Sequence, residues 1–222
     1  MFNKQLVPEM TEVRLKDKYI FKRTNVKTAG KFSIFMDRDG VLIKDKHYLA
    51  SASQVELHEG VIELFKSLTE RSITTVVITN QSGIGRGLFD WKEYEEVTAE
   101  MMKQLNYPSC LLGIYANGYL PGKEEGADHW RKPGPGMLIQ AAKDFGINLN
   151  TSQIVGDRLS DIVAGARAGI MTAYHVKTGH GETEREQVRN MSKGKWLNAY
   201  DCETPCIKLL GSVSELLHYI KD

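Results

Sequence analysis

Lys31-Phe-Ser-Ile-Phe-Met-Asp-Arg-Asp-Gly-Val-Leu-Ile43 is the most informative segment of the chain, because a short apolar run ends there in two carboxylates. Residues 32–36 are mostly apolar and have strand length, which predicts a parallel strand buried on both faces. Side chains of an extended chain alternate between two faces, so Asp37 and Asp39 should face one site while Arg38 faces another. Ligands of open α/β sheets bind at the carboxyl ends of strands, although Asp-Arg-Asp-Gly alone would also suit an ordinary polar turn.

The length, composition and charge of the chain indicate an ordinary globular protein. Its 222 residues suffice for one domain with a sizeable core and are few for two. With 41% hydrophobic and 26% charged residues, neither wholesale disorder nor a fibrous repeat is indicated. The net charge of +1 argues against bulk nucleic acid or an anionic membrane as a partner.

The lack of a recognisable targeting signal and the few cysteines predict a cytoplasmic protein without a disulfide framework. No apolar stretch approaches the ~18 residues of a membrane span, and the N-terminus lacks the apolar core of a secretion signal. Cys110, Cys202 and Cys206 are too few and too scattered for a disulfide scaffold. The last two are four residues apart, but no Cys/His pair of matching spacing accompanies them, which favours thiols over a metal site. We expect a monomer or a small homo-oligomer.

Apolar periodicity along the rest of the chain predicts strands that alternate with helices. Strands are expected over residues 74–79, 111–116, 153–156, 170–175 and 206–210. Helices are expected over residues 61–68, 91–105, 135–145, 164–168 and 213–220. This alternation predicts an α/β fold, a three-layer sandwich around a central, mostly parallel sheet.

Two polar segments fall outside this alternation. Residues 1–30 are polar and basic, and apolar residues such as Val13 and Phe21 alternate there with charged neighbours. This pattern predicts an N-terminal extension with an edge strand or a hairpin, followed by one domain over residues 31–222. Residues 177–201 are polar and are predicted to be mostly loop.

Polar side chains follow three of the predicted parallel strands. Asp37 and Asp39 follow the first, a glycine-rich loop over residues 79–87 follows the second, and Asp157 follows the fourth. Right-handed crossovers place these ends at one edge of the sheet. Three clustered carboxylates repel one another unless a cation offsets them, and an all-oxygen ligand set favours Mg²⁺ with a substrate phosphate. Lys132, which precedes the fourth strand, would help the metal to lower the barrier to attack on that phosphate.

Four motifs, in this order, resemble those of the haloacid dehalogenase-like (HAD) phosphatases. They are Asp37-Arg-Asp-Gly-Val, Thr79-Asn-Gln-Ser-Gly, Arg131-Lys-Pro and Val155-Gly-Asp-Arg-Leu-Ser-Asp161. Each motif alone is weak, but four in the right order rarely arise by chance. Within that family, residues 32–178 are similar to the branch that contains heptose bisphosphate and histidinol-phosphate phosphatases. The resemblance implies a Rossmann-like core, and residues 40–60 are too few for a cap domain, so loops should cover the site.

The resemblance also implies the reacting groups. Asp37 would be the nucleophile that forms an aspartyl-phosphate. Asp39 would protonate the leaving alkoxide and then deprotonate the hydrolytic water. Mg²⁺ would be held by Asp37, the backbone carbonyl of Asp39, and Asp157. Asp161 would support this set as a nearby carboxylate.

The same resemblance implies which residues contact the substrate. Thr79 and Asn80 would position the phosphoryl oxygens, and Lys132 would neutralise their growing charge. The positions that contact the sugar and its second phosphate are occupied here by Asp45, Lys46, His47, Tyr48, Gln81, Ser82, Arg131 and Arg158. These outer residues could also belong to an ordinary solvated loop.

One departure from the family pattern concerns a loop beside the site. The heptose enzymes carry a zinc loop with Cys-Pro-His and Cys-Asp-Cys segments, whereas the corresponding places here read Asn117-Gly-Tyr119 and Asp128-His-Trp130. His129 alone cannot complete a four-coordinate zinc site, so we expect no structural zinc. Packing and hydrogen bonds should hold the loop instead, with Trp130 and Tyr119 filling its volume. The change bears on the identity of the substrate more than on the chemistry.

We therefore expect a Mg²⁺-dependent phosphomonoesterase that acts on a small phosphorylated metabolite. A sugar phosphate or bisphosphate such as D-glycero-D-manno-heptose 1,7-bisphosphate is the favoured substrate, with histidinol phosphate as an alternative. A polynucleotide 3′-phosphatase has similar motifs, but no basic tract or Gly-x-x-x-x-Gly-Lys-Ser/Thr segment accompanies them here. A non-catalytic phospho-binding module is the remaining alternative. Asp39 argues against it, because a phosphorylated receiver needs no acid two residues beyond its aspartate.

Overall fold

Eight strands form one sheet in the computed structural model, which describes residues 10–122, 129–191 and 202–220. The strands are β1 (Met10–Leu15), β2 (Lys18–Arg23), β3 (Ser33–Met36), β4 (Thr74–Asn80), β5 (Leu111–Asn117), β6 (Gln153–Gly156), β7 (Thr172–Val176) and β8 (Cys206–Leu210). Their order across the sheet is β1-β2-β5-β4-β3-β6-β7-β8. All neighbours from β5 to β8 are parallel, and only the β1–β2 and β2–β5 pairs are antiparallel. The predicted mostly parallel sheet is confirmed.

The strand β3 lies between β4 and β6 and contributes to the core on both faces of the sheet. Ile34 and Met36 pack on one face, whereas Phe35 packs on the other, and all three are fully buried. A strand covered on both faces needs apolar side chains at successive positions, which explains its continuous hydrophobic run. Asp37 therefore leaves the sheet at the carboxyl edge that β3 shares with β4 and β6.

Six α-helices accompany the sheet within the described part of the chain. They are α1 (Val61–Glu70), α2 (Ser82–Gly85), α3 (Trp91–Gln104), α4 (Gly136–Phe145), α5 (Leu159–Arg167) and α6 (Gly181–Met191). The apolar faces of α1 and α3 pack in the same core as Ile34, and those of α4 and α5 pack in the core around Phe35. The predicted three-layer sandwich is thus confirmed.

Some predicted element bounds differ from the structure. The helix α5 begins at Leu159, five residues earlier than predicted. Residues 213–218 form a 3₁₀ helix rather than an α-helix. The prediction of a loop after residue 177 is wrong over α6, and residues 192–201, the rest of that segment, lie outside the described residues.

The described N-terminal residues form a hairpin, one of the two predicted alternatives. Because β2 pairs with both β1 and β5, the hairpin extends the main sheet and leaves β1 as its edge strand. Tyr19 and Phe21 on β2 are buried, whereas Val13 and Leu15 on β1 are 40% and 54% exposed. Residues 1–9 lie outside the described residues.

The connection from β3 to α1 crosses the carboxyl edge of the sheet as a loop with one 3₁₀ turn at Ala52–Gln54. Isolated bridges pair Ile43 with Asp39 and with Leu57, so this connection folds back over the strand end. Loops thus stand in place of a cap domain, as expected. Within the described ranges, none of the helices combines the length and the apolar character that crossing a membrane requires.

Candidate active site

A buried cluster of charged groups lies at the carboxyl edge of the sheet. Asp37 follows β3, Asp157 follows β6 and Asp161 lies in the first turn of α5, and one oxygen of each lies within 4.8 Å of the others. Lys132 places Nζ 3.0 Å from Asp37 Oδ1 and 2.7 Å from Asp161 Oδ1. All four side chains are buried. The structure therefore brings together residues of three motifs that are far apart in the sequence.

Burial raises the pKa of two of the acids in this cluster. It raises the pKa of Asp37 to about 7, a rise that the Lys132 ammonium opposes and the Asp161 carboxylate strengthens. It likewise raises the pKa of Asp157 to about 9, and the carboxylates of Asp161 and Asp37 add to that rise. Burial alone would lower the pKa of Lys132, but Asp161 and Asp37 outweigh it and raise the pKa. One ammonium group does not balance three carboxylates.

The surroundings of Asp157 fit a divalent cation. Its Oδ2 accepts a hydrogen bond from the His180 backbone N–H at 2.7 Å, whereas its buried Oδ1 has no hydrogen-bond partner among the described residues. An unpaired buried carboxylate oxygen is costly unless a cation binds it. Gly40 and Gly179 approach so closely that a Cβ on either would collide with Oδ2. Asp37 and Asp157 thus offer the oxygen ligands that suit Mg²⁺.

Asp39 lines the same cavity as Asp37 but has the opposite electrostatic surroundings. Arg38 donates from Nε to Asp39 Oδ2 at 3.1 Å and from Nη2 to Oδ1 at 3.0 Å. The guanidinium is held in turn by Thr98 Oγ1, 3.2 Å from Nη1, and by the Tyr94 ring, whose centroid lies 4.8 Å from Cζ. Burial would raise the pKa of Asp39, but the guanidinium and a hydrogen bond from Gln81 outweigh it and hold the pKa below its usual range.

The prediction that Arg38 faces a separate site is wrong. Its side chain is almost fully buried, and its guanidinium returns to the carboxylate of the next residue. The period of two along an extended chain fixes where Cβ points, but a long flexible side chain can reach back from there. Both carboxylates still face one cavity, as predicted.

The end of β4 and the first residue after it order two of the predicted catalytic groups. Gln81 donates from Nε2 and Thr79 donates from Oγ1 to Asp39 Oδ2, at 2.7 and 3.2 Å. The Asn80 side chain pairs with the backbone of Lys132, donating to its carbonyl at 3.0 Å and accepting from its N–H at 3.1 Å. The side chains of Thr79, Asn80 and Gln81 also line the cavity. Part of the set predicted to contact substrate thus positions the acid and the lysine.

A cavity of about 540 Å³ opens above the buried cluster. The residues predicted to bind substrate that form its outer wall are Asp45, His47, Tyr48, Ser82, Arg131 and Arg158. Lys46 is the exception and lies outside the lining residues. Its amine donates to the Gln54 carbonyl at 2.8 Å and lies 3.5 Å from Glu56 Oε2. The structure therefore does not bring Lys46 to the cavity wall.

Two residues that the sequence motifs missed belong to the cavity wall or its support. His180 lines the cavity, and its Nε2 lies 2.9 Å from Asp45 Oδ2. Glu184, on α6, places Oε1 3.7 Å from Arg158 Nη1 and accepts a hydrogen bond from the Leu159 N–H at 2.7 Å. The last of the four motifs ends at Asp161, so the motifs gave no signal for either residue.

Comparison with known proteins agrees with this geometry. A family model described as HAD-hydrolase-like matches residues 129–197. A Pasteurella multocida protein named D-glycero-beta-D-manno-heptose-1,7-bisphosphate 7-phosphatase is 40% identical over 161 residues, which cover 69% of this chain and 86% of the relative. A Photorhabdus laumondii protein named as the corresponding alpha enzyme is 37% identical over 156 residues, or 68% of this chain and 85% of that one.

A solved structure is similar over most of the chain. It is D,D-heptose 1,7-bisphosphate phosphatase from B. bronchiseptica, complexed with magnesium and phosphate. The match has a TM-score of 0.69 and 26% sequence identity, and it covers 85% of this chain and 97% of the other. The family resemblance drawn from the four motifs is therefore confirmed. This chain belongs to the HAD-like hydrolases and is a phosphatase of that family.

Proposed function

We propose that this phosphatase removes the 7-phosphate of D-glycero-D-manno-heptose 1,7-bisphosphate, with Mg²⁺ and through an aspartyl-phosphate on Asp37. The observation that carries the proposal is the 3.0 Å contact between Asp37 and Lys132 at the floor of a cavity of about 540 Å³. A cavity of that size accommodates a sugar with two phosphates. The names of the relatives support the choice of substrate.

In the first step, an Asp37 carboxylate oxygen attacks the phosphorus, and the bond from phosphorus to the sugar oxygen breaks. The Lys132 ammonium offsets the charge that grows on the phosphoryl oxygens. Asp39 donates a proton to the departing alkoxide. Without substrate its pKa is held low, but a phosphate dianion beside it disfavours a second negative charge and raises the pKa towards the protonated form.

In the second step, water attacks the phosphorus of the aspartyl-phosphate, its proton passes to Asp39, and inorganic phosphate leaves with Asp37 regenerated. The low pKa of Asp39 suits this half of the cycle, in which it acts as a base. Mg²⁺, held by Asp37, Asp157 and the Asp39 carbonyl, would supply charge neutralisation for both steps and keep the buried carboxylates ionised.

The part of the substrate remote from the reacting phosphate would contact the outer wall of the cavity. Arg131 and Arg158 supply fixed positive charge there, which suits a second phosphate. His47 and Tyr48 offer polar groups for sugar hydroxyls. The Glu184 contact keeps the Arg158 guanidinium oriented before substrate binds.

A panel assay of phosphate release tests the substrate. It would compare the α and β anomers of the heptose bisphosphate, histidinol phosphate and a 3′-phosphorylated oligonucleotide, each with Mg²⁺ and with EDTA. We expect the highest kcat/KM for one heptose anomer and no release with EDTA. A higher kcat/KM for histidinol phosphate would identify that ester as the substrate instead. No phosphate release from any ester would favour the non-catalytic phospho-binding module.

We further propose that the loop around residues 117–130 holds no structural zinc. Asn117 and Trp130 are buried there, and the Trp130 ring lies 6.3 Å from the Tyr115 ring between centroids, so packed side chains occupy two of the substituted places. Asp128, at another of the substituted places, lies outside the described residues. Elemental analysis of protein purified without added zinc is the test. About one zinc per chain, retained through dialysis, would contradict the proposal.

A further inference from the structure

We propose that the turn of the N-terminal hairpin, residues 16–18, is a positioning element of the active site. It holds the two segments that flank Arg131 in space, and so it sets the affinity for the end of the substrate remote from the reacting phosphate. The inference deepens the proposed function and rests on it for the second phosphate. It assigns a role to a segment that the sequence analysis treated only as an extension.

The first contact continues the strand pairing into the loop. The ladder between β2 and β5 ends at the pair of Lys18 and Asn117. One step further, the Asp17 carbonyl accepts a hydrogen bond from the Gly118 N–H at 2.8 Å. The hairpin turn therefore fixes the first residue after β5 by a backbone bond, independent of any side chain.

The second contact holds Gly118 from the other side. Trp91, at the start of α3, donates its indole N–H to the Lys16 carbonyl at 3.0 Å and stacks on Tyr19 with centroids 5.7 Å apart. A Cβ on Gly118 would lie only 3.1 Å from the Trp91 ring, so the glycine backbone rests directly on the indole. The turn thus anchors both the loop and the ring on which the loop lies.

The third contact reaches the residue before Arg131. The Lys18 ammonium lies 5.0 Å from the centroid of the Trp130 ring, and that ring is only 5% exposed. A cation over a buried indole is attracted by the negative face of the ring. Lys18 therefore ties the hairpin to the loop segment that contains Trp130, which follows residues 123–128 in the sequence.

These contacts hold the residues around Arg131 and do not involve the groups that hold Lys132. Arg131 donates from Nη1 to the Tyr119 carbonyl at 2.9 Å, next to the anchored Gly118, and it lines the cavity. Lys132 is held separately, by both hydrogen bonds to Asn80. Its Nζ also donates to a β4 carbonyl at 3.0 Å. Loosening the hairpin turn should therefore weaken substrate binding and leave the chemical step unchanged.

The test compares two variants on one hairpin. Lys18→Met combined with Trp91→Phe removes the ammonium and the indole N–H while keeping apolar bulk. Leu15→Thr, on the exposed edge strand, is the matched control. For the double variant, KM for the heptose bisphosphate should rise about tenfold, since two modest interactions are lost. KM for p-nitrophenyl phosphate and both kcat values should stay within twofold, and the control should match wild type.

Hydrogen exchange keeps this test separate from the test of the proposed function. Exchange at the Gly118 amide should quicken about tenfold in the double variant and stay unchanged in the control. If wild type hydrolyses neither heptose anomer, the proposed function fails, and the KM comparison is made with whichever other ester of the panel the enzyme hydrolyses best. Unchanged exchange, unchanged KM, or an equal rise of KM for both ester types would overturn the positioning role.

Discussion

The floor and the outer wall of the cavity are built in different ways. On the floor, Asp37, Lys132 and Asp161 are buried, and Lys132 bridges the two carboxylates. On the outer wall, Asp45 lies in a loop and Arg158 at the start of a helix, and each pairs with a partly exposed partner, His180 and Glu184 respectively. Strand ends and buried charge therefore fix the chemistry, whereas loops decide which substrate reaches it.

Asp37→Asn should give the largest loss and would show that the floor carries the reaction. The amide has nearly the same shape as the carboxylate but is a poor nucleophile, so we expect kcat to fall by at least about 10⁴-fold with every substrate. The thermal midpoint of unfolding should not fall, because the buried charge is removed. Phosphate release at the wild-type rate by the folded variant would remove Asp37 from its role.

Asp39→Asn should separate the acid from the nucleophile on the same floor. General acid catalysis contributes about 10²–10⁴-fold, so kcat with a sugar phosphate should fall by that factor. The loss with p-nitrophenyl phosphate should be much smaller, since its leaving group needs little protonation. Equal losses with both substrates would make Asp39 a structural or metal-binding residue only.

The pH dependence of stability should reveal the unbalanced charge on the floor. The folded pKa of Asp157, about 9, lies above its unfolded value near 4, so the folded state retains a proton that the unfolded state releases between these pH values. In EDTA, the free energy of unfolding should therefore fall by a few kcal/mol as the pH rises from about 5 to 9. Urea denaturation at three pH values within this range measures the change in the free energy of unfolding.

Two matched conditions sharpen that measurement. Asp157→Asn removes the titrating group without changing its shape, so its stability should depend less steeply on pH. Added Mg²⁺ should reduce the loss in wild type, because a bound cation stabilises the ionised carboxylates. If the metal-free wild-type protein were as stable at pH 9 as at pH 5, the prediction would be wrong. The buried carboxylates would then ionise without lowering the free energy of unfolding.

Variants of the outer wall should have the smallest effects and should differ from one another. Arg158→Met should raise KM for the heptose bisphosphate about tenfold, because a charge-assisted contact with a phosphate is lost. Lys46→Met should change KM less than twofold, since the amine is turned towards Glu56 and Gln54. Steady-state kinetics on both variants measures this. A larger effect at Lys46 would mean that its loop rearranges around the substrate.

Much of the floor could be predicted from the sequence because it depends on regular geometry. A buried strand that ends in Asp37, and parallel neighbours that end at the same edge, place the acids together whatever the loops do. The helix α6 was missed because its sequence is polar, with Val188 as its one buried apolar side chain among the described residues. An apolar period therefore gave no signal there.

The outer wall and the environment of Asp39 were less predictable because they depend on rotamers and tertiary contacts. The return of the Arg38 guanidinium to Asp39 requires Tyr94 and Thr98, which lie on a helix some sixty residues away in the sequence. The direction of Lys46 follows from the nearby Glu56, which a pattern of residue types does not reveal. The zinc-free loop stays a prediction that metal analysis can decide.

The helix α6 gives the molecule a graded response to warming. Val188 is its one buried apolar side chain among the described residues. Polar contacts add to it: Arg185 donates to the Leu210 carbonyl, and Glu184 accepts from the Leu159 N–H and contacts Arg158. Elements with little buried apolar surface open locally at lower free energy than the sheet. We predict that native-state hydrogen exchange will find α6 opening before β3. The outer wall of the cavity would then bind substrate more weakly while the catalytic floor is still folded. KM should therefore rise with temperature before the protein unfolds globally.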